Sequence, residues 1–313
     1  MRRSMADHSS VRPTYVSILL VIAVSAAVLC AQGQTPPTFR TTTNSVRVDV
    51  SVRNGTKVVT GLAAKDFEVL DNDVRQQVVD VTYGKLPIDI TLALDVSASV
   101  TGAELSRLRL AITQLMSELG RDDRLRLITF NMRVSRVVDF TSDVSAVERA
   151  IERVSAGGAT SIFDTISVAL ISADDPDRRQ LVVLFSDGED SLSTTEPRAL
   201  SAVAQRTSAT LTAVVPSALF GLEGRSVFAS RTPRPEGRLL TRLAADTGGV
   251  VIQMASRDDD LTKTFQRALD EFRSSYVLYF TPHDVQRGFH TLKVTVPQNS
   301  KYTVRARAGY WGE

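Results

Sequence analysis

The sequence predicts an α/β protein in which a doubly wound, mostly parallel sheet is inserted between the two halves of a small β-module. Three observations carry that expectation. From Leu86 to about Arg273, strand-length apolar runs alternate with helical patterns, the rhythm of a parallel sheet covered by helices. Two of those runs, 88–94 and 180–185, are almost unbroken by polar residues, as burial on both faces requires. Before and after this region only strand-like patterning is found, and isolated strands are not stable alone. The two end groups are therefore expected to pair with each other.

Taken in order, residues 45–53 alternate apolar and polar with period two, the pattern of a half-buried strand. Asn54-Gly55 suits the positive φ angles of a two-residue hairpin turn. With Thr56 it also forms a glycosylation sequon, but the turn explains these residues more economically. Further strands are predicted at 66–70 and 76–82. After the strand at 88–94 a helix places Leu105, Leu108, Ile112, Leu115, Met116 and Leu119 on one face. Strands at 124–130 and, at the sheet edge, 134–140 precede helices at 144–154 and 161–172. The alternation continues with a strand at 180–185, a helix at 197–207, a strand at 210–215, a helix at 237–247 and a strand at 250–253. The last helix, 258–273, gathers Leu261, Phe265, Ala268, Leu269 and Phe272 on one face. Strands at 276–280, 291–296 and 302–307 end the chain.

The first residues do not fit this scheme. Arg2, Arg3 and Arg12 precede an apolar run from Tyr15 to Leu29, followed by Cys30-Ala-Gln-Gly33 and the pair Pro36-Pro37. Basic start, apolar centre and small-residue exit are the anatomy of a secretory signal. Cleavage after Ala31 or Gly33 is expected, which makes the protein secreted or periplasmic; the alternative is a membrane anchor at 15–31. The expected division is a signal peptide at 1–33, an N-terminal strand segment at 34–85, an α/β domain at 86–273, and a C-terminal strand segment at 274–313 pairing with 44–83.

Hydrophobic residues make up 43% and charged residues 23% of the chain, which argues against disordered and fibrous classes. Loss of Arg2, Arg3, Arg12 and Asp7 with the signal takes the formal charge from +2 to 0, so the composition makes no case for nucleic-acid binding. Cys30 is the single cysteine, so no intrachain disulfide is expected.

Three segments carry the chemistry: Asp95-Val-Ser-Ala-Ser99, Gly157-Gly-Ala-Thr160 and Phe185-Ser-Asp-Gly188. The first and third follow buried strands and the second precedes a helix. In an open parallel sheet such loops meet in the crevice beyond the carboxyl ends of the strands. Asp95 and Asp187 offer carboxylates, and Ser97, Ser99 and Thr160 offer neutral hydroxyls, an all-oxygen set suited to a hard cation. Mg²⁺ is expected, with Mn²⁺ or Ca²⁺ as alternatives. Each piece alone also has a local explanation: Asp95, Ser97 or Ser99 as a helix cap, Gly157-Gly158 and Asp187-Gly188 as turns.

Together these segments resemble the metal-ion-dependent adhesion site of von Willebrand factor A domains, including integrin I domains. The resemblance covers about residues 86–273. It implies a Rossmann-like fold, one divalent cation held by Asp95, Ser97, Ser99, Thr160 and Asp187, and a protein or surface ligand that supplies an acidic side chain to the metal. It also implies that the last helix shifts as ligand affinity changes. The flanking strands, with Gly61-Leu-Ala-Ala-Lys-Asp-Phe67, resemble the exported bacterial VWFA-related family. A cation that only stabilises loops of an assembly module is the alternative.

Catalysis has little support. Metalloprotease, nucleophile-elbow and phosphate-loop motifs are absent from the sequence. A metal hydrolase would need a base, for which Glu189 and Asp190 are the candidates; both are expected to be solvated loop acids. His283 and His290 are expected at the surface of the C-terminal strands. A long insertion, 217–237, carries Arg225, Arg231 and Arg234, with Arg238 beyond it; these are expected either to attract an acidic partner or to be solvated.

Overall fold

The computed structural model describes residues 45–84, 86–100, 102–172, 175, 177–186, 189–220, 233–256, 259–283 and 286–312. The expected signal segment, Cys30, Asp187, Arg225 and Arg231 lie outside the described residues.

Alternating sequence opens the described chain as β1 (Val46–Asn54), β2 (Lys57–Val58), β3 (Glu68–Asp71), β4 (Val74–Gln76) and β5 (Val78–Tyr83). The α/β part follows as β6 (Ile88–Asp95), α1 (Gly102–Ser117), β7 (Arg124–Phe130), β8 (Val134–Thr141), α2 (Val144–Glu152) and α3 (Ile162–Ile171). It continues with β9 (Arg179–Phe185), α4 (Pro197–Arg206), β10 (Thr210–Pro216), α5 (Pro235–Thr247), β11 (Val251–Met254) and α6 (Leu261–Arg273). Four strands follow, β12 (Tyr276–Phe280), β13 (Gly288–Thr295), β14 (Tyr302–Ala306) and β15 (Gly309–Gly312).

The central sheet has the order β11-β10-β9-β6-β7-β8 and is parallel except for β8. All eight residues of β6 are buried. Ile88, Ile90, Leu92 and Leu94 pack into the layer formed with α1, α2 and α6, while Ala93 joins the layer of α3, α4 and α5. That is the doubly wound arrangement.

Polar groups inside such a sheet need partners. Asp89, with no exposed surface, accepts from Arg124 Nε (2.9 Å) and Nη2 (2.6 Å) and from Arg178 Nε (2.6 Å). Burial alone would raise its carboxyl, but the two guanidiniums outweigh burial and hold it below the usual carboxylate range.

Strands from both ends of the described chain share sheets. β1 lies between β14 and β12 in a sheet of order β14-β1-β12-β5, with β2 on the end of β1. A second sheet has the order β15-β13-β3-β4. Val48, Val50 and Val52 pack with Tyr276, Leu278, Phe280 and Val294 in a core of their own. Buried Arg179, at the start of β9, ties this module to the central sheet. Its Nε donates to Asp49 Oδ1 of β1 (2.6 Å) and its Nη2 to the Phe272 carbonyl at the end of α6 (2.7 Å), with the guanidinium 4.0 Å from the Phe272 ring centroid.

Several local expectations are corrected. Asn54 stays in β1 opposite Lys57, and the hairpin loop is Gly55-Thr56, with Gly55 supplying φ +60°. That register keeps the valines of β1 on the core face; a one-residue slip would turn them outward. The predicted single strand at 66–70 becomes a hairpin of β3 and β4. It turns on Asn72 and Asp73, both at positive φ, which short polar side chains tolerate. His290 is buried rather than at the surface. Its Nδ1 lies 2.9 Å from Asp71 Oδ1 and its Nε2 2.7 Å from the Gln286 carbonyl, and its ring stacks on Tyr310. The Tyr310 hydroxyl donates to Asp71 Oδ2 (2.8 Å), so a polar cluster closes the second sheet. His283 is exposed.

Candidate metal centre

Two neighbouring strands deliver polar residues to the same edge. β6 ends on Asp95 and β9 is followed by Ser186, and both are fully buried. The Asp95 carboxylate is fixed on both sides: Oδ1 accepts the Ser97 N–H (2.9 Å) and Oδ2 accepts the Ser186 hydroxyl (2.6 Å). The first contact is the local Asp turn that bends the chain out of the strand. Val96 N–H donates to the Phe130 carbonyl at the end of β7 (2.8 Å), which holds the loop against the sheet. Ser97 and Ser99 then bring their Oγ atoms to 3.0 Å of each other.

The glycine-rich segment docks on this loop through its backbone. Gly157 N–H donates to the Val96 carbonyl (2.8 Å), and Ala98 N–H donates to the Gly158 carbonyl (2.9 Å). Gly158 has φ +88°, and a Cβ there would meet Met132 Cγ at 3.0 Å, so glycine is required for this approach. Asn131 Nδ2 secures the segment by donating to the Gly157 carbonyl (2.7 Å). Thr160, also buried, is held from the third loop: its carbonyl accepts from Ser191 N–H (2.9 Å) and Leu192 N–H (3.0 Å).

The structure therefore brings the loop of Asp95, Ser97 and Ser99 against the segment that leads to Thr160, with the third loop bonded to both. Asp187 lies outside the described residues; Ser186 and Glu189 flank its segment.

The flanking acids have other tasks. Asp190 is not a solvated acid: its Oδ1 accepts from the N–H groups of Ile162 (2.7 Å) and Phe163 (3.3 Å) and from the Ser193 hydroxyl (2.5 Å). It thus caps α3 from a distant loop and meets the positive end of that helix. Asp164 in α3 reciprocates, accepting from Thr195 N–H (2.7 Å) and Thr194 N–H (3.1 Å). Burial would raise the Asp164 carboxyl, and these bonds outweigh it and hold it low. Glu189 forms an ion pair with Arg234, so that arginine of the insertion is turned onto the protein itself. Arg238 donates to the Pro233 carbonyl.

Sequence reasoning assigned no role to Ser186 or Asn131, and considered Asp190 only as a candidate base expected to be solvated. Ser186 stood inside a quoted motif. Asp190 carried no signal, because a capping carboxylate and a solvated one look alike in sequence.

The donor set suits a small hard cation. Ligands at 2.0–2.1 Å in an octahedron stand about 2.9 Å apart along a cis edge, whereas Ca²⁺ distances spread them to about 3.4 Å. The Ser97 and Ser99 hydroxyls are hydrogen-bonded to each other at 3.0 Å, close enough for both to turn to one cation. Among the described residues no group of three His, Cys, Asp or Glu side chains that could hold a metal is found.

The von Willebrand factor type A domain profile matches residues 89–267, more than half of the chain. The uncharacterized protein sll0103 of Synechocystis sp. is 33% identical over 110 residues, 34% of this chain and 26% of its own length. Inter-alpha-trypsin inhibitor heavy chain H4 of Sus scrofa is 23% identical over 126 residues, 37% of this chain and 14% of its own. The chain thus spans about a quarter or less of either relative. Among solved structures, proximal thread matrix protein 1 from the mussel byssus, described with a zinc-occupied MIDAS motif, is 16% identical, with a TM-score of 0.48 and coverage of 64% of this chain and 48% of that one. Domains of the matched type commonly serve adhesion or protein binding and are generally non-catalytic. The protein belongs to the von Willebrand factor type A domain family.

Proposed function

We propose that this protein binds a protein or surface ligand through one divalent cation, Mg²⁺ foremost, held by Asp95, Ser97 and Ser99 together with Thr160 and Asp187. The observation that carries this reading is the buried Asp95 carboxylate, pinned by Ser97 and Ser186 beside two hydroxyls 3.0 Å apart. Two carboxylates balance the charge of the ion, and hydroxyls and water leave one position that an acidic side chain of the ligand fills. The apolar run and small-residue exit at the start of the sequence support action outside the cytoplasm, secreted or periplasmic, or anchored by residues 15–31. Among the described residues no helix is long and apolar enough to cross a membrane. The commitment of Asp190 to α3 argues against a hydrolytic base at this edge.

Titration with Mg²⁺, Mn²⁺ and Ca²⁺ followed by calorimetry and thermal unfolding tests the reading. A cation at a hundred times its Kd stabilises the fold by ~2.7 kcal/mol. That increment should vanish in Asp95→Ala and shrink in Ser99→Ala, which leaves the Asp95 bonds in place. A cation that stabilised all three proteins equally would remove the proposed site. Chelator-sensitive capture of proteins from the source's exported proteome, lost in Ser99→Ala, separates ligand binding from a cation that only stiffens loops.

A further inference from the structure

β11 is the outer strand of the central sheet. Its sequence, Val-Ile-Gln-Met, has neither charge nor proline, two of the devices by which edge strands repel a second chain. Parallel ladders bond alternate residues. Because Ala213 N–H donates to the Val250 carbonyl (2.9 Å), the residues that serve β10 are Val250, Ile252 and Met254. The amides and carbonyls of Val251 and Gln253 point away from the sheet, and among the described residues no backbone–backbone hydrogen bond reaches them.

In front of this edge lies a groove of about 790 Å³, between the β1–β2 hairpin, β14 and α6. Val250, Val251 and Ile252 supply its apolar wall. Such a volume lies within the range of specific ligand pockets, about 300–1,000 Å³. Its lining is net positive: Arg53, Lys263, Arg267 and Arg305 outnumber Asp270 and Glu271, with Lys263 also paired to Asp260 outside the lining (3.0 Å). Glu271 is shared, since Arg53 Nε donates to its Oε1 (3.2 Å) and the Nη2 atoms of Arg53 and Arg305 pair with its two oxygens. One carboxylate between two guanidiniums leaves a net positive charge beside the apolar wall. Arg267 is exposed on α6 and adds to it, while the exposed Lys263 is shared with Asp260.

We propose that this groove is a strand-addition site for an extended acidic segment of a partner protein. The backbone of that segment pairs with Val251 inside the groove and with Gln253 just beyond its lining, and its carboxylates meet Arg267, the Arg53–Arg305 pair and, in competition with Asp260, Lys263. Main-chain bonds supply affinity and alternate side chains supply selectivity in this mode of recognition. The charge argues against a second copy of the chain in the groove, because β11 meeting β11 would bring the Lys263 and Arg267 of both copies together. The groove shares no residue with the candidate metal centre, so the two ideas stand or fall separately.

The probe is an acetylated hexapeptide of alternating Glu and Val, added to the full chain, beside a Lys-Val counterpart and a version N-methylated along one edge. Saturable binding of the Glu-Val peptide is expected, with slowed deuterium exchange at 250–254. N-methylation should abolish binding, the Lys-Val peptide should bind about tenfold more weakly, and the double variant Lys263→Glu, Arg267→Glu should erase the preference. Asp95→Ala should leave binding unchanged. The proposal is overturned by absence of binding, by indifference to N-methylation or charge, or by protection elsewhere in the chain. Self-association that protects the same amides without peptide would also overturn it.

Discussion

Replacing Arg179 with Met tests whether the β-module and the α/β part form one cooperative body. The change removes a bond to Asp49, a bond to the Phe272 carbonyl and a cation over the Phe272 ring, while keeping an apolar stem of similar length. Removing one partner of a buried ion pair costs ~3–5 kcal/mol. The Asp49 side chain keeps 16% of its surface exposed, so water relieves part of its isolation, and we expect the lower end, ~3 kcal/mol. Nη1 of Arg179 is itself buried without a hydrogen-bond partner, so the native pair is not ideal. Adding Asp49→Leu to Arg179→Met should therefore recover most of the loss, as buried pairs replaced by apolar residues often do. The assay is urea denaturation with two probes. Trp311, the single tryptophan, lies in β15 with the Arg206 guanidinium of α4 3.7 Å from its ring centroid, so it reports the module and its seam with the α/β part, while far-UV circular dichroism is dominated by the helices. Both transitions should coincide in every variant and move together. A cost below about 1 kcal/mol, or a Trp311 transition that separates while the helical one stays put, would refute the reasoning.

Asp190→Ala removes the remote cap of α3 and should cost about 1 kcal/mol in urea denaturation. It should also weaken Mg²⁺ binding in calorimetry, because Thr160 lies two residues before that helix; unchanged stability and affinity would contradict the assigned role. Acid should destabilise the protein through Asp89 and Glu271. Both carboxyls are held low, burial being outweighed by Arg124 and Arg178 at Asp89 and by Arg305 and Arg53 at Glu271. The stability they contribute is present above their unfolded values near pH 4 and is lost as pH falls through their folded values. Urea midpoints should therefore drop between about pH 5 and pH 2, and Asp89→Asn should make that fall shallower.

How much of this was legible in the sequence depended on whether a position answers to burial or to a distant neighbour. β6 and β9 were legible because a strand covered on both faces must be apolar at nearly every position. The helices were legible from their apolar faces. β15 was not, because Gly309 and Gly312 mark a turn by propensity. Its glycines answer instead to β13 and the chain just before it: a Cβ at Gly309 would stand 2.2 Å from the His290 carbonyl oxygen, and one at Gly312 2.5 Å from that of Gln286. His290 was misplaced for the same reason, since Asp71 and Tyr310 become its neighbours only after three strands assemble. At the candidate metal centre, spacing pointed to the loops of Asp95 and Thr160. It carried no information on which nearby acids were already committed.

The two ends of the central strands are held differently, and this bears on whether the proposed binding would move α6. The module is bolted to the amino ends through Arg179, while Asp95 and Ser186 sit at the carboxyl ends, about 23 Å away along β6. The resemblance to I domains implies a last helix that shifts with affinity, but here the end of α6 is tied on three sides. Glu271 is held by Arg53 and Arg305, the Phe272 carbonyl by Arg179, and Arg273 donates to Asp123 (2.7 Å). Sliding α6 along its axis would break these contacts together. Partly exposed ion pairs are worth less than buried ones, yet charge-assisted hydrogen bonds at ~1.5–3 kcal/mol each sum to more than a typical coupling energy of 1–3 kcal/mol. For the ligand proposed at the carboxyl edge, these ties predict that α6 stays in place on binding; faster amide exchange along α6 when Mg²⁺ and ligand are added would refute that.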